Sequence, residues 1–352
     1  MDGARQPGTD AWSGRRFDLV LGGGGALGAF QAGLYAALDE AGLAPDWLAG
    51  SSIGAFNAAL IAGNAPERRV ERLHSFWSLL AQPGIAETEW TGDARRIRKA
   101  VAAAGARLLG RPGLYTPIVP QLFLSMPRSG QPSLYDTAPA LDTLRRFVDF
   151  DRIAAGQPRI TVNLTDLMSG ESVLVDSATT RLRPQHVLAS MALLPEFPPV
   201  EIDGRWFCDG GFSANVPLHA ALDPPPADDL LCVAVDLLGE PGPPVFSVDG
   251  MLERSNDLTF ANQTRAALAL FEAKYARRAS GSSVTILLVA LDGRSERIAQ
   301  KTWDYGRSSI LERWRAGQEA GATVVERIGR LETPAPGRLA VHRIIAGRPG
   351  SS

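Results

Sequence analysis

Cysteine is almost absent: Cys208 and Cys232 are the only two in 352 residues. Neither their number nor their spacing suits a disulfide framework or a zinc site, so both read as buried strand residues. Histidine is nearly as scarce. His74, His186, His219 and His342 are scattered, with no H-E-x-x-H or paired spacing, and no metal site is expected. No run of about 18 uninterrupted apolar residues occurs, which argues against a transmembrane helix. Residues 1–16 are polar and lack the apolar core of a signal peptide; they read as a disordered tail, and the expected location is cytoplasmic. An excess of one charge is missing too. The net charge of −2 makes no global case for nucleic-acid binding. There is no internal repeat, and nothing sets an oligomeric state.

What is present is glycine at particular places. Gly22-Gly23-Gly24-Gly25-Ala26-Leu27-Gly28 follows an apolar strand, Phe17 to Leu21, and opens a helix with Leu27, Phe30, Leu34 and Leu38 on one face. A glycine loop at a helix N-terminus offers backbone N–H groups to an anion, reinforced by the helix dipole. Two uses compete. Gly23, Gly25 and Gly28 match the G-x-G-x-x-G dinucleotide fingerprint, and the same loop suits an oxyanion hole. Gly50-Ser51-Ser52-Ile53-Gly54 comes next, after the short strand Asp46 to Ala49 and before a helix carrying Ile53, Phe56, Ala59 and Leu60. This is the G-x-S-x-G form of a nucleophile elbow, in which a serine sits on a strained strand-to-helix turn. A Rossmann domain wants an acidic residue at the end of its second strand. Asp46 precedes that strand instead, which favours the oxyanion reading.

A third motif lies far downstream. Asp209-Gly210-Gly211 follows a hairpin that turns at Asp203-Gly204. Glycine loop, G-x-S-x-G and distant D-G-G, in that order, resemble the patatin-like phospholipase family. The run Ser190 to Val200, together with Asn215 and Pro217, is similar to the family's surroundings of its aspartate, and the resemblance covers about Phe17 to Leu238. It implies a three-layer α/β/α sandwich on a largely parallel central sheet. It also implies Ser52 as nucleophile, Asp209 as its base, and acyl esters of lipids as substrates, with no cofactor. The N–H groups of Gly23, Gly24, Gly25 and Ile53 would hold the oxyanion, with Gly28, Gly50, Gly54, Gly210 and Gly211 shaping the backbone. One departure stands out: many members carry a basic residue where this chain has Leu27. A bacterial subgroup resembles the chain there, and also around Trp303-Asp304-Tyr305 and Arg313-Trp314.

Strands alternate with helices along the chain, which implies an α/β architecture. The expected organisation is a catalytic domain over 17–240, interrupted by a loose insert at about 83–132, and a C-terminal α/β extension over 241–352 packed on it. Leu230 to Leu238 is apolar on both faces, as a strand in the middle of a covered sheet must be. In the insert, Arg95, Arg96, Arg98 and Lys99 stand before Val101, Leu108 and Leu109. Cations beside apolar residues can dock a membrane surface; a solvated helix face reads the same residues structurally. Trp303, Asp304, Tyr305, Arg313 and Trp314 suit either a substrate rim or a packed helix with aromatic anchors.

Three other functions stay open. A Ser-His-Asp hydrolase would recruit His219 or His342 after Asp209. A dinucleotide-binding oxidoreductase would use the glycine loop for phosphate. A non-catalytic lipid-binding protein would keep the fold alone.

Overall fold

The computed structural model describes residues 15–82, 92–118, 133–240, 246–293 and 300–346. The chain opens with β1 (Arg16–Leu21), a 3-10 turn at Gly25–Gly28, α1 (Ala29–Glu40), β2 (Trp47–Gly50), α2 (Ile53–Ala62) and α3 (Arg69–Leu80). There follow α4 (Gly92–Leu109), the two-residue strands β3 (Thr116–Pro117) and β4 (Tyr135–Asp136), α5 (Ala138–Phe147) and α6 (Phe150–Ala154). Then come β5 (Arg159–Asp166), β6 (Ser172–Asp176), α7 (Pro184–Ser190), β7 (Val200–Ile202) and β8 (Arg205–Asp209). The short helices α8 (Gly211–Ala214) and α9 (Leu218–Leu222) precede β9 (Leu230–Glu240). The chain continues through α10 (Val248–Ala276), β10 (Val284–Asp292), α11 (Arg307–Ile328) and β11 (Leu339–Ala346).

One sheet organises these elements, in the order β11-β10-β9-β1-β2-β5-β8-β7 with β6 also on β5. The six strands from β11 to β5 are mutually parallel, and β6, β7 and β8 are antiparallel additions. Side chains alternate between two cores. Leu19, Leu21, Val233 and Val235 face one cluster, with α1, α2, α3 and α11 laid over it. Val20, Cys232 and Ala234 face the other, with Leu218 of α9 and Leu268, Phe271 and Tyr275 of α10. Both faces of β1 and β9 are therefore covered, giving three layers with a largely parallel sheet in the middle. Both cysteines are buried in strands, as expected.

Two features of topology position the site. The chain runs from β1 to β2 to β5 in one direction, then returns to place β9 on the other side of β1. The loops leaving β1 and β9 diverge there, and such a switch point opens a crevice at the strands' carboxyl ends. The second feature is the register on β5. Thr161 and Val162 pair with Ala49 and Gly50 of β2 and also with Asp176 and Val175 of β6. A residue has only two edges, so β2 and β6 lie on opposite sides. Leu164 and Thr165 pair with β6 and also with Asp209 and Cys208 of β8. β8 therefore continues on the β2 side, beyond the point where β2 stops. Asp209 opposes Leu164, two residues past the Val162 that opposes Gly50. The end of β8 is thus delivered to the turn that follows β2.

The expected regions are described in part. Residues 83–91 and 119–132 of the expected loose insert lie outside the described residues, but 92–109 form a continuous helix. Two cations of that helix are engaged within the protein. Lys99 is buried, and Arg98 and Lys99 both pair with Glu312 of α11, at 3.6 and 3.3 Å. The side chains of Arg95 and Arg96 lie outside the described residues. Of the expected tail, 1–14 lie outside the description, whereas Arg16 already belongs to β1 and bonds Asp18 at 2.8 Å. Beyond residue 240, β10 and β11 join the same sheet.

The α11 helix lies against α1 at backbone contact. A Cβ on Gly317 would stand 2.0 Å from the Phe30 carbonyl oxygen, and one on Gly33 would stand 2.0 Å from that of Trp314. Neither helix can carry a larger residue there without separating. Gly317→Val is therefore expected to destabilise the protein by ~2–3 kcal/mol, read from urea denaturation. Ala322→Val, at an exposed position of the same helix, should cost under ~1 kcal/mol. Equal small losses in the two variants would contradict the close packing.

Candidate active site

Ser51 and Ser52 fill the turn between β2 and α2. Ser52 is held at φ 54°, ψ −127°, a conformation costing a non-glycine residue of order 1–3 kcal/mol. Gly54 permits the sharp return of α2: a Cβ there would stand 2.1 Å from the Leu21 carbonyl oxygen. The two serines have different surroundings. Ser51 is fully buried, donates to the Ala214 carbonyl at 2.8 Å and accepts from Asn163 Nδ2 at 3.1 Å. Ser52 is half-buried and lines a cavity. Its backbone N–H donates to Ser190 Oγ at 2.9 Å, and Ser190 Oγ donates to the Asn163 carbonyl at 2.7 Å.

Asp209 ends β8 and is 3% exposed. Its N–H donates to the Ala192 carbonyl at 3.0 Å, and its carbonyl accepts from Thr165 Oγ1 at 2.8 Å. Its Oδ1 accepts the Gly211 N–H at 2.7 Å. Burial pushes the carboxyl up to about 7, although the Gly211 amide and the Ser52 hydroxyl partly offset the shift. Gly210 has no room for a side chain, since a Cβ would lie 2.2 Å from the Asn163 carbonyl oxygen. Asn163 Nδ2 bonds the Gly210 carbonyl at 2.8 Å.

The glycine loop passes over Ser52. A Cβ on Gly23 would stand 3.0 Å from Ser52 Cβ and 2.6 Å from Asn215 Oδ1. The Gly23 N–H, expected as an oxyanion donor, is engaged by the Asn215 carbonyl at 3.2 Å. Its contribution is space rather than a hydrogen bond. The N–H groups of Gly24, Gly25 and Ile53 have no hydrogen-bond partner among the described residues, and all three residues line the cavity. Gln31 Nε2 holds the Gly22 carbonyl at 2.7 Å, and Asn57 Nδ2 holds the Gly28 carbonyl at 3.0 Å. On the other side, Arg313 Nη1 donates to the carbonyls of Asp304 at 2.7 Å and Ala26 at 3.3 Å. Arg313 is buried and thus brings a cation beside Leu27, where the sequence had seemed to lose one. Gly28 packs against Ile53, and Gly50 against the start of α2.

The cavity, partly open to solvent, gathers Gly23, Gly24, Gly25, Ser52, Ile53 and Asp209. Leu114, Tyr115, Leu188, Met191, Leu193 and Phe197 make much of its wall apolar. Trp303 and Tyr305 line it too, while Arg313 and Trp314 do not. None of the four histidines lines it. His219 Nε2 lies instead 2.8 Å from Ser172 Oγ, in a separate cavity with Asp223 and Lys274. Among the described residues no His, Cys, Asp and Glu group could hold a metal, and no helix is long and apolar enough to cross a membrane.

Asn163, Thr165 and Ser190 complete the geometry and escaped the sequence reading as functional residues. Asn163 and Thr165 did leave a signal, as polar residues that, with Thr161, alternate with the apolar Ile160, Val162 and Leu164 along β5. Such residues need buried partners.

Comparison with known proteins bears on the same residues. The family model for patatin-like phospholipases matches residues 19–222, which include all three motifs. Patatin-like phospholipase domain-containing protein 7 of Rattus norvegicus is 29% identical over 211 residues, covering 59% of this chain and 13% of that protein. Lysophospholipase nte1 of Aspergillus terreus is 58% identical over 52 residues, covering 15% of this chain and 3% of that protein. The chain thus spans a small part of these relatives' length. Among solved structures, VipD from Legionella pneumophila gives a TM-score of 0.37 at 16% identity, over 86% of this chain and 67% of that one. ExoU of Pseudomonas aeruginosa, solved with SpcU, gives a TM-score of 0.39 at 18% identity, over 92% and 55%.

The buried Asp209 carboxyl makes a stability prediction. It titrates near the ordinary carboxyl value of 3.8 when unfolded and at about 7 in the fold. As pH rises between these values the unfolded chain loses the proton first, so the contribution of this group is complete below 3.8 and gone above 7. Asp209→Asn removes the titration and keeps an acceptor for Gly211. It should raise stability at pH ~8 by ~2–4 kcal/mol and change it little near pH ~4. Urea denaturation at the two pH values reads the difference; no gain at the higher pH would mean that the carboxylate is not buried.

Proposed function

The chain belongs to the patatin-like phospholipase family, and on that basis we propose that it is a serine acyl hydrolase of lipid esters working through a Ser52–Asp209 dyad. The observation that carries the reading is a buried carboxyl, pushed up to about 7, beside a serine on a strained strand-to-helix turn in a largely apolar cavity. An ordinary carboxylate is too weak a base at neutral pH, and burial corrects that.

Ser52 Oγ attacks the ester carbonyl while Asp209 takes its proton. Negative charge grows on the carbonyl oxygen, and the unengaged N–H groups of Gly24, Gly25 and Ile53 receive it; Gly23 leaves room for it. Such preorganised donors commonly supply a large part of the rate enhancement. The alcohol leaves with the proton from Asp209. Water then attacks the acyl-serine with Asp209 again as base, and no cofactor enters. The apolar wall takes the acyl chain. Phe246, Val248 and Leu252 are exposed at the start of α10, directly before Glu253, which lines the cavity. Apolar side chains at such a mouth suit contact with a lipid surface.

The test uses p-nitrophenyl esters of graded chain length. Ser52→Ala and Asp209→Asn should each lower kcat/KM by about a thousandfold or more, with losses that do not add in the double variant. His219→Ala should stay within about threefold of the parent. The parent's rate should rise with pH through a single ionisation near 7. A folded, active Asp209→Asn protein, or a thousandfold loss in His219→Ala, would overturn the dyad.

A further inference from the structure

One wall of the Ser52 cavity is polar. The α10 helix turns Glu253, Asn256, Asp257 and Phe260 towards it, spaced i, i+3, i+4 and i+7 on a single helical face. Asp257 is 5% exposed. Its Oδ2 accepts from Lys301 Nζ at 2.7 Å, and Lys301 is equally buried. Its Oδ1 is buried and has no hydrogen-bond partner among the described residues. A buried acceptor without a donor is unfavourable, and a ligand that brings a donor relieves it.

The position of this wall relates it to the reacting ester. Phe260 stands three residues beyond Asp257, about 4.5 Å along the helix axis. Its Cε1 is 3.5 Å from where a Gly211 Cβ would stand, and the Gly211 N–H bonds Asp209. Lys301 opens the turn whose Thr302 carbonyl oxygen is 2.5 Å from the place of a Gly25 Cβ. The wall is thus anchored at one end to the Asp209 turn and at the other to the glycine loop. Asp257 therefore lines the same cavity as Ser52, between these two anchors.

Charge decides which donor fits. Lys301 already balances Asp257, and burial pushes the Glu253 carboxyl up to about 7, so near neutrality the wall has little unmatched negative charge. A cationic head group would also feel the positive charges of Lys301 and Arg313, which lie behind the lining and both act on Glu253. A neutral O–H suits the site better than an ammonium.

We propose that Asp257, oriented by Lys301, accepts a hydrogen bond from a free hydroxyl on the alcohol half of the ester, making the enzyme selective for acylglycerol-type substrates with an unacylated hydroxyl. The proposal rests on the hydrolase reading above.

Four decanoyl esters test it: glyceryl, propyl, 2,3-dimethoxypropyl and choline. The parent should hydrolyse the glyceryl ester with kcat/KM at least about tenfold above the propyl ester. The dimethoxypropyl ester keeps the bulk but has no O–H, and the choline ester has charge but no donor; both should fall to the propyl level. In the Asp257→Leu, Lys301→Met double variant, which replaces the ion pair by apolar residues, the glyceryl-to-propyl ratio should drop below about threefold. An unselective parent, a dimethoxypropyl ester as good as the glyceryl ester, a preferred choline ester, or selectivity that survives in a folded double variant would each overturn the proposal. The ester series on the parent decides it even if the double variant does not fold. p-Nitrophenyl decanoate separates the two readings. If its hydrolysis survives Ser52→Ala, the hydrolase reading fails; if it is lost while selectivity is absent, only the hydroxyl subsite fails.

Discussion

One buried side-chain amide, Asn163, joins the turn that carries Ser52 to the turn that carries Asp209. Its Nδ2 reaches the Gly210 carbonyl, Ser51 Oγ and the Ala214 carbonyl at 2.8–3.1 Å, and its Oδ1 accepts from Ser172 Oγ at 2.6 Å. Its backbone carbonyl anchors Ser190, which anchors the Ser52 N–H. Except for the exposed Ser172, these groups are buried or half-buried, and the buried ones would be costly to leave unpaired. The cost runs in one direction: moving either turn breaks several bonds at once. The strained φ of Ser52 is therefore held by its surroundings and does not relax.

The motifs were legible because each is local and set by the backbone. A glycine loop before a helix, a serine between two glycines, and Asp-Gly-Gly after a hairpin all announce backbone shapes that other residues disfavour. The strands and helices flanking them emerged within a residue or two, because alternation and helical spacing are strong there. Legibility failed where the determining contact is distant. Nothing near Gly92 to Leu109 shows that its cations pair with Glu312 two hundred residues on. The loss of a cation at Leu27 is legible, but its replacement by Arg313 is visible only once α11 lies on α1. The engagement of Gly23 by Asn215 is equally non-local: the glycine pattern predicts donors without saying which are already spent.

The polar groups of the site divide by what they are asked to do. Those that hold shape, such as Asn163, Gln31 and Asn57, have their bonds made within the protein. Those that meet the cavity do not. Among the described residues, Gly24, Gly25 and Ile53 keep unengaged N–H groups and Asp257 keeps an unengaged oxygen, while Asp209 is held against its preferred charge state. The apolar layers on both faces of the sheet carry this concentration of unmet polarity. A site with its valences open is poorly stable by itself and is supported by the body around it.

The contact between Arg313 and the Ala26 carbonyl spans 287 positions of sequence. The glycine loop is therefore made well before the residue that clamps it. Until α11 has been made and has found α1, the loop lacks the guanidinium that holds its far side. The order of synthesis thus separates possession of the three motifs from their assembly into a working centre. A growing chain thus holds its serine and its aspartate before the helix that clamps the glycine loop has docked on α1.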